Sequence, residues 1–212
     1  MTIEIKYATL GIAATNAYLV GDTETSEAIL IDPVDQAETL VKMAADSGWT
    51  IRLILATHAH FDHVLASKQL KELTGAPFYI HVEAAEWLKN LPETGVRFTG
   101  TAFPEAAKPD RLLTTASETL ELGAIKLETL FTPGHAPGHL SFFMRDQGIV
   151  FSGDSLFAGT VGRTDIPGSD PDLLIQSIRD QLLTLDDDVT VLPGHGRPTT
   201  IGAERASNPF LI

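Results

Sequence analysis

The run Ile51-Arg52-Leu53-Ile54-Leu55-Ala56-Thr57 reads as a compact strand, and it passes straight into His58-Ala59-His60-Phe61-Asp62-His63. Three imidazoles and a carboxylate packed this densely repel one another if protonated, and no structural need calls for them. A spacing of two at a strand exit points His58 and His60 to one side. Asp62 and His63 follow from the start of a helix, where Asp is also a favoured cap. Such a chain needs a rigid strand end that holds this cluster and other segments that bring further donors to it.

Three other strand ends carry matching chemistry. Thr132-Pro133-Gly134-His135 follows a strand ending at Phe131, Ser152-Gly153-Asp154 follows Ile149-Val150-Phe151, and Pro193-Gly194-His195-Gly196 follows Val189 to Leu192. Glycine lets the backbone turn sharply, so that the next side chain faces inward. The chain contains no cysteine, which excludes a thiol nucleophile, a disulfide scaffold, an iron–sulfur cluster and any thiolate metal site. Five imidazoles and two carboxylates favour borderline divalent metals such as Zn²⁺, Mn²⁺ or Fe²⁺. Seven ligands exceed one tetrahedral site with an open position. They suit two metals that share a carboxylate and a water.

The remaining pattern is α/β. Strands are expected at Ile3 to Tyr7, Asn16 to Gly21, Glu27 to Asp32, Phe78 to His81, Thr119 to Leu122, Ile125 to Phe131 and Leu140 to Met144. Helices are expected at Gln36 to Ser47, Val64 to Leu73, Glu83 to Leu88, Leu173 to Leu183 and Ile201 to Ala206. Pro92 to Asp110, rich in Pro and Gly, reads as a surface loop. The order strands, helix, strands, helix, given twice, suggests two sheets sandwiched between helices in one domain of 212 residues. A net charge of −13 argues against nucleic-acid and anionic-membrane partners, because such binding needs clustered Lys and Arg. No apolar run approaches the roughly 18 residues of a membrane span. The apolar stretch from Ala8 to Val20 lacks a positively charged leader, since Glu4 offsets Lys6, so a cytoplasmic protein is expected.

Together the segments THAHFDH, PGHAPGH, SGD and PGHG resemble the metallo-β-lactamase superfamily, and most of all its glyoxalase II branch. The likeness runs from Asn16-Ala17-Tyr18-Leu19-Val20 to Glu204 and Asn208-Pro209-Phe210-Leu211, and Gly162-Arg163-Thr164-Asp165 is similar to the compact bacterial type II members. The resemblance implies a four-layer αββα sandwich. It also implies that His58, His60 and His135 hold one metal, that Asp62, His63 and His195 hold a second, and that Asp154 bridges them. The metals would be two divalent ions, zinc foremost with iron or manganese as alternatives. Only Gly196 to Ile212 follow the last ligand, so the helical glutathione-binding domain of longer relatives is not expected.

Two metals roughly 3.5 Å apart lower the pKa of a shared water enough to supply hydroxide at neutral pH. Asp62 and Asp154 are then the catalytic carboxylates, Asp62 by orienting the water or taking its proton. A thiol leaving group, with a pKa of about 8.5, departs without a strong acid. The expected reaction is therefore hydrolysis of a small-molecule thioester such as S-lactoylglutathione. The rival is a persulfide dioxygenase with a single iron on His58, His135 and Asp154. A lactonase and a non-catalytic metal-binding scaffold are the remaining alternatives. By the same resemblance, His139 and the glycine pair around His195 are features of the hydrolase branch, not of the dioxygenase one.

Other residues have two readings each. His139 either orients a ligand or serves the Pro-Gly turn, and His81 at a strand end is structural or exposed. Asp32 either hydrogen-bonds near the site or caps the helix after Gln36. Arg163 either pairs with Asp165 or contacts a substrate carboxylate. Tyr18 and Phe157 are candidates for pocket walls or core.

Overall fold

The computed structural model describes residues 2–212, and the chain forms two compact units. The first contains the residues up to Leu113 with Glu121–Ile125, the second Thr114–Leu120 with Lys126–Ile212.

The first unit is built on a six-stranded sheet with strands in sequence order: β1 (Ile3–Leu10), β2 (Thr15–Asp22), β3 (Glu27–Ile31), β4 (Thr50–Leu55), β5 (Phe78–His81) and β6 (Arg111–Leu113). The β1 to β3 pairings are antiparallel, while β3 to β6 run parallel. The parallel half is created by helical crossovers, since parallel neighbours cannot be joined by a tight turn. Helix α1 (Ala37–Asp46) buries Ala37, Leu40 and Ala44, spaced three and four residues apart, so one stripe of the helix meets the sheet. Its core partners include Leu19, Leu30 and Ile54. Two helices, α2 (Phe61–Val64) and α3 (Ser67–Thr74), replace the single helix expected over Val64 to Leu73. Helix α4 (Val82–Trp87) begins on His81, whose Nδ1 accepts the Glu83 N–H at 3.2 Å.

The expected Pro92–Asp110 loop is in part a helix, α5 (Leu91–Thr99). Pro92 lies in the first turn, where a missing N–H costs nothing. Gly100, with φ 77°, supplies the left-handed residue that ends the helix. Pro92 thus starts a helix in the segment where its Pro and Gly content suggests a loop.

A second six-stranded sheet, most of whose residues belong to the second unit, consists of β7 (Thr119–Leu122), β8 (Ile125–Phe131), β9 (Leu140–Met144), β10 (Ile149–Gly153), β13 (Thr190–Pro193) and β14 (Thr199–Thr200), in the order β14-β13-β10-β9-β8-β7. Between β10 and β13 lie a short hairpin, β11 (Leu156–Phe157) with β12 (Thr160–Val161), and helix α6 (Pro171–Ser177). Asp170 caps α6 by accepting the Leu173 N–H. Helix α7 (Ile201–Ser207) follows β14. Phe143, Val150, Leu174, Ile178, Val191 and Ile201 form this unit's core. Among the described residues no helix is long and apolar enough to cross a membrane.

Candidate metal centre

Four of the seven expected donors lie in the first unit. The parallel register pairs Ile31 of β3 with Leu55 of β4, so the segments leaving both strands emerge side by side. Asp32 leaves β3 in the left-handed region, with φ 58°, which a short polar side chain tolerates better than most. Its buried carboxylate faces the β4 exit. Oδ1 accepts the Thr57 N–H at 2.7 Å, while Oδ2 accepts the Thr57 hydroxyl at 3.0 Å and lies 2.8 Å from His63 Nδ1. Asp32 therefore bonds within the site, and α1 starts without it.

Proton accounting then fixes two imidazoles. A hydroxyl has one proton, and Thr57 gives it to Asp32, so it accepts from His58 Nδ1 at 3.0 Å. His63 Nδ1 likewise donates to Asp32. Both rings present Nε2 as the lone-pair atom. His58 Nε2 is 2.9 Å from His60 Nδ1, and His63 Nε2 is 3.5 Å from Asp62 Oδ2. His58 and His60 could hold a cation with these two nitrogens in place of the proton they share. Asp62 does not cap α2, whose cap position is His60. Its Oδ2 instead accepts the Thr15 hydroxyl at 2.7 Å.

The other three donors lie in the second unit. Strands β10 and β13 are parallel, with Gly153 opposite Pro193, so Asp154 and His195 leave neighbouring strand ends. His195 Nε2 and His135 Nε2 stand 3.4 and 3.5 Å from the same oxygen, Asp154 Oδ2. His135 Nδ1 donates to the Arg163 carbonyl at 2.8 Å, which again leaves Nε2 for a ligand. Gly134 has φ 125°, and a Cβ there would lie 2.2 Å from the Leu174 nitrogen. Only glycine lets the backbone just ahead of His135 pass this close to α6.

His139 offers no lone pair. Its Nε2 accepts the Asp154 backbone N–H at 3.0 Å, so its proton sits on Nδ1 and goes to the Thr132 hydroxyl at 2.9 Å. That hydroxyl then donates to Ser141 Oγ at 2.9 Å. His139 thus holds the backbone of Asp154. The Phe157 ring meets His195 edge-on at 6.2 Å.

Arg163 and Asp165 form a two-pronged ion pair at 2.7 and 2.9 Å on the surface. The guanidinium holds the Asp165 carboxyl below its ordinary range. Tyr18 is buried in β2, its ring 6.0 Å from that of Tyr7, and burial foremost pushes its hydroxyl pKa upward. His81 is buried, and desolvation lowers its pKa.

Sequence reasoning missed Thr57, Thr15, Thr132 and the Arg163 carbonyl. A hydroxyl residue next to an expected ligand, such as Thr57 before His58, is a usable signal. A backbone carbonyl leaves none. The first unit thus presents the Nε2 lone pairs of His58 and His63, and the second that of His135, each unit with a carboxylate nearby, which fits borderline divalent cations.

Comparison with known proteins agrees. The model of the metallo-beta-lactamase superfamily matches residues 10–195. The chain is 42% identical to hydroxyacylglutathione hydrolase GloC of Haemophilus influenzae, over 92% of each chain. It is similar to the solved structure of the B3 metallo-beta-lactamase BLEG-1, with a TM-score of 0.90, 37% identity, and 98% of this chain and 99% of that one covered. It is also similar to TTHA1623 in a di-iron-bound form, with a TM-score of 0.86, 41% identity, and coverage of 97% and 100%. The chain belongs to the metallo-beta-lactamase superfamily, with its α/β fold and a His/Asp donor set for divalent metal.

Proposed function

We propose that this chain is a two-metal enzyme that hydrolyses a thioester such as S-lactoylglutathione, with zinc as the metal. As the family resemblance implies, His58, His60 and His135 would hold one ion and Asp62, His63 and His195 the other, with Asp154 shared. The observation that supports this most is the locked ring state of His58, His63 and His135, each with Nδ1 committed to an oxygen. The thioester is suggested by the 42% identity to a hydroxyacylglutathione hydrolase.

When bound, the metal pair lowers the pKa of a water and polarises the carbonyl under attack. The chain's own residues do the rest. Asp62, steadied by Thr15, orients the water and takes its proton. Asp32 and Thr57 keep the lone pairs of His58 and His63 turned inward. A thiolate leaves unaided, because its conjugate acid has a pKa of about 8.5.

The di-iron form of a 41% identical neighbour favours iron as an alternative to zinc in the two-metal reading; the rival reaction is persulfide oxidation on a single iron held by His58, His135 and Asp154. Purified chain is given S-lactoylglutathione with thiol release followed, and glutathione persulfide with oxygen uptake followed. Thiol release without oxygen uptake supports the hydrolase. Oxygen uptake with one iron per chain overturns it.

A further inference from the structure

The β11–β12 hairpin has two residues per strand and, among the described residues, pairs with no other strand, so its own hydrogen bonds hold it weakly. Yet the segment that contains it, Asp154 to Arg163, organises the second unit's donors. It opens with the Asp154 carboxylate, and it sets Phe157 against the His195 ring. Near its end Gly162 packs so tightly that a Cβ would lie 1.9 Å from the Asp154 carbonyl oxygen and 3.0 Å from His135 Cβ. It closes with the Arg163 carbonyl that fixes His135.

The turn of this hairpin is tied down from α7, more than forty residues away in sequence. Glu204 is 3% exposed. Its Oε2 accepts the Gly159 N–H at 2.9 Å and the Asn208 side-chain amide at 2.7 Å, and its Oε1 accepts the Thr199 hydroxyl at 2.6 Å. Asn208, fully buried, also donates to the Thr160 carbonyl at 3.0 Å. Among the described residues no Lys or Arg forms an ion pair with Glu204, so these donors alone offset the cost of burying its charge.

We propose that Glu204 and Asn208 are positioning residues of the metal centre. They clamp the hairpin turn so that the segment from Asp154 to Arg163 keeps His135, Asp154 and His195 set for the cation. The inference rests on the metal-binding role given to those three residues above. It concerns geometry, not charge. In Glu204→Gln the amide oxygen still accepts from Gly159 and Asn208, and the amide N–H groups face a Thr199 hydroxyl that can turn to accept.

The test is zinc release from the loaded full-length chain to a chromophoric chelator, with the melting temperature measured alongside. Ile201→Ala, in the same helix and the same core, is the control for mere destabilisation. Glu204→Ala and Asn208→Ala are expected to release zinc about 10- to 100-fold faster, the range for lost outer partners of metal ligands. Glu204→Gln and Ile201→Ala are expected to release it at the wild-type rate. If Glu204→Ala does not fold, Asn208→Ala decides, since it leaves the Gly159 and Thr199 bonds intact. Equal release from Glu204→Ala and Ile201→Ala overturns the inference, as does fast release from Glu204→Gln. A wild-type chain that binds no metal overturns the metal reading and this inference together.

Discussion

Asp32 Oδ2 and His63 Nδ1 lie 2.8 Å apart across 31 residues of sequence, joined because β3 and β4 run parallel and end level. The same carboxylate holds Thr57, and Thr57 holds His58, so one acid sets two ring orientations. Asp32→Asn keeps a residue that tolerates φ 58°. It removes one of the two charged acceptors, and its amide faces the N–H of His63 if its oxygen stays with Thr57. Metal affinity is expected to fall about 10- to 100-fold, read by competition with a chelator. Unchanged affinity would show that the carboxylate serves only the backbone.

Asp154 is approached by two imidazoles through a single oxygen. Asp154→Ala is expected to lose bound metal and turnover together, by more than the about 100-fold upper range for an outer partner. Metal analysis of the purified variant checks this. Two ions retained per chain would refute the bridging role.

At Gly162 an added methyl meets the Asp154 carbonyl oxygen at 1.9 Å. Backbone has to move, because no flexible side chain is there to yield. Gly162→Ala is expected to cost about 1–3 kcal/mol of stability and to weaken metal binding as well. Denaturant unfolding and chelator competition measure the two effects. A variant of wild-type stability would mean that the contact relaxes freely.

Asp22 ends β2 and accepts the N–H groups of Ala124, Glu24 and Thr25. These bonds, that of Ala124 foremost, lower its pKa in the folded chain. A carboxylate of lowered pKa contributes its stability in full above its unfolded pKa and loses it as pH falls through the folded value. The melting-temperature gap between wild type and Asp22→Asn is therefore expected to hold steady from neutral pH down to about 5 and to close below about 4. A gap that persists unchanged into stronger acid would contradict this origin.

The parts legible in the sequence were those with a short local pattern. A strand running into His58, or a glycine ahead of His135 and His195, shows in a handful of adjacent residues. The two-sheet pattern follows from the same strand and helix periodicities. What escaped depends on distant partners. Thr15 reaches Asp62, and Glu204 reaches Gly159, through contacts that neither local sequence foretells. The β11–β12 strands are too short for periodicity to register. Pro92 misled because its effect depends on position, breaking a helix interior but starting a first turn.

A two-metal centre that cleaves thioesters is tested most directly by titration of metal-free chain with Zn²⁺ while S-lactoylglutathione hydrolysis is followed. Activity is expected to rise with added zinc and to level off at two ions per chain. Full activity at one ion per chain, or no thioester cleavage at any loading, would contradict it.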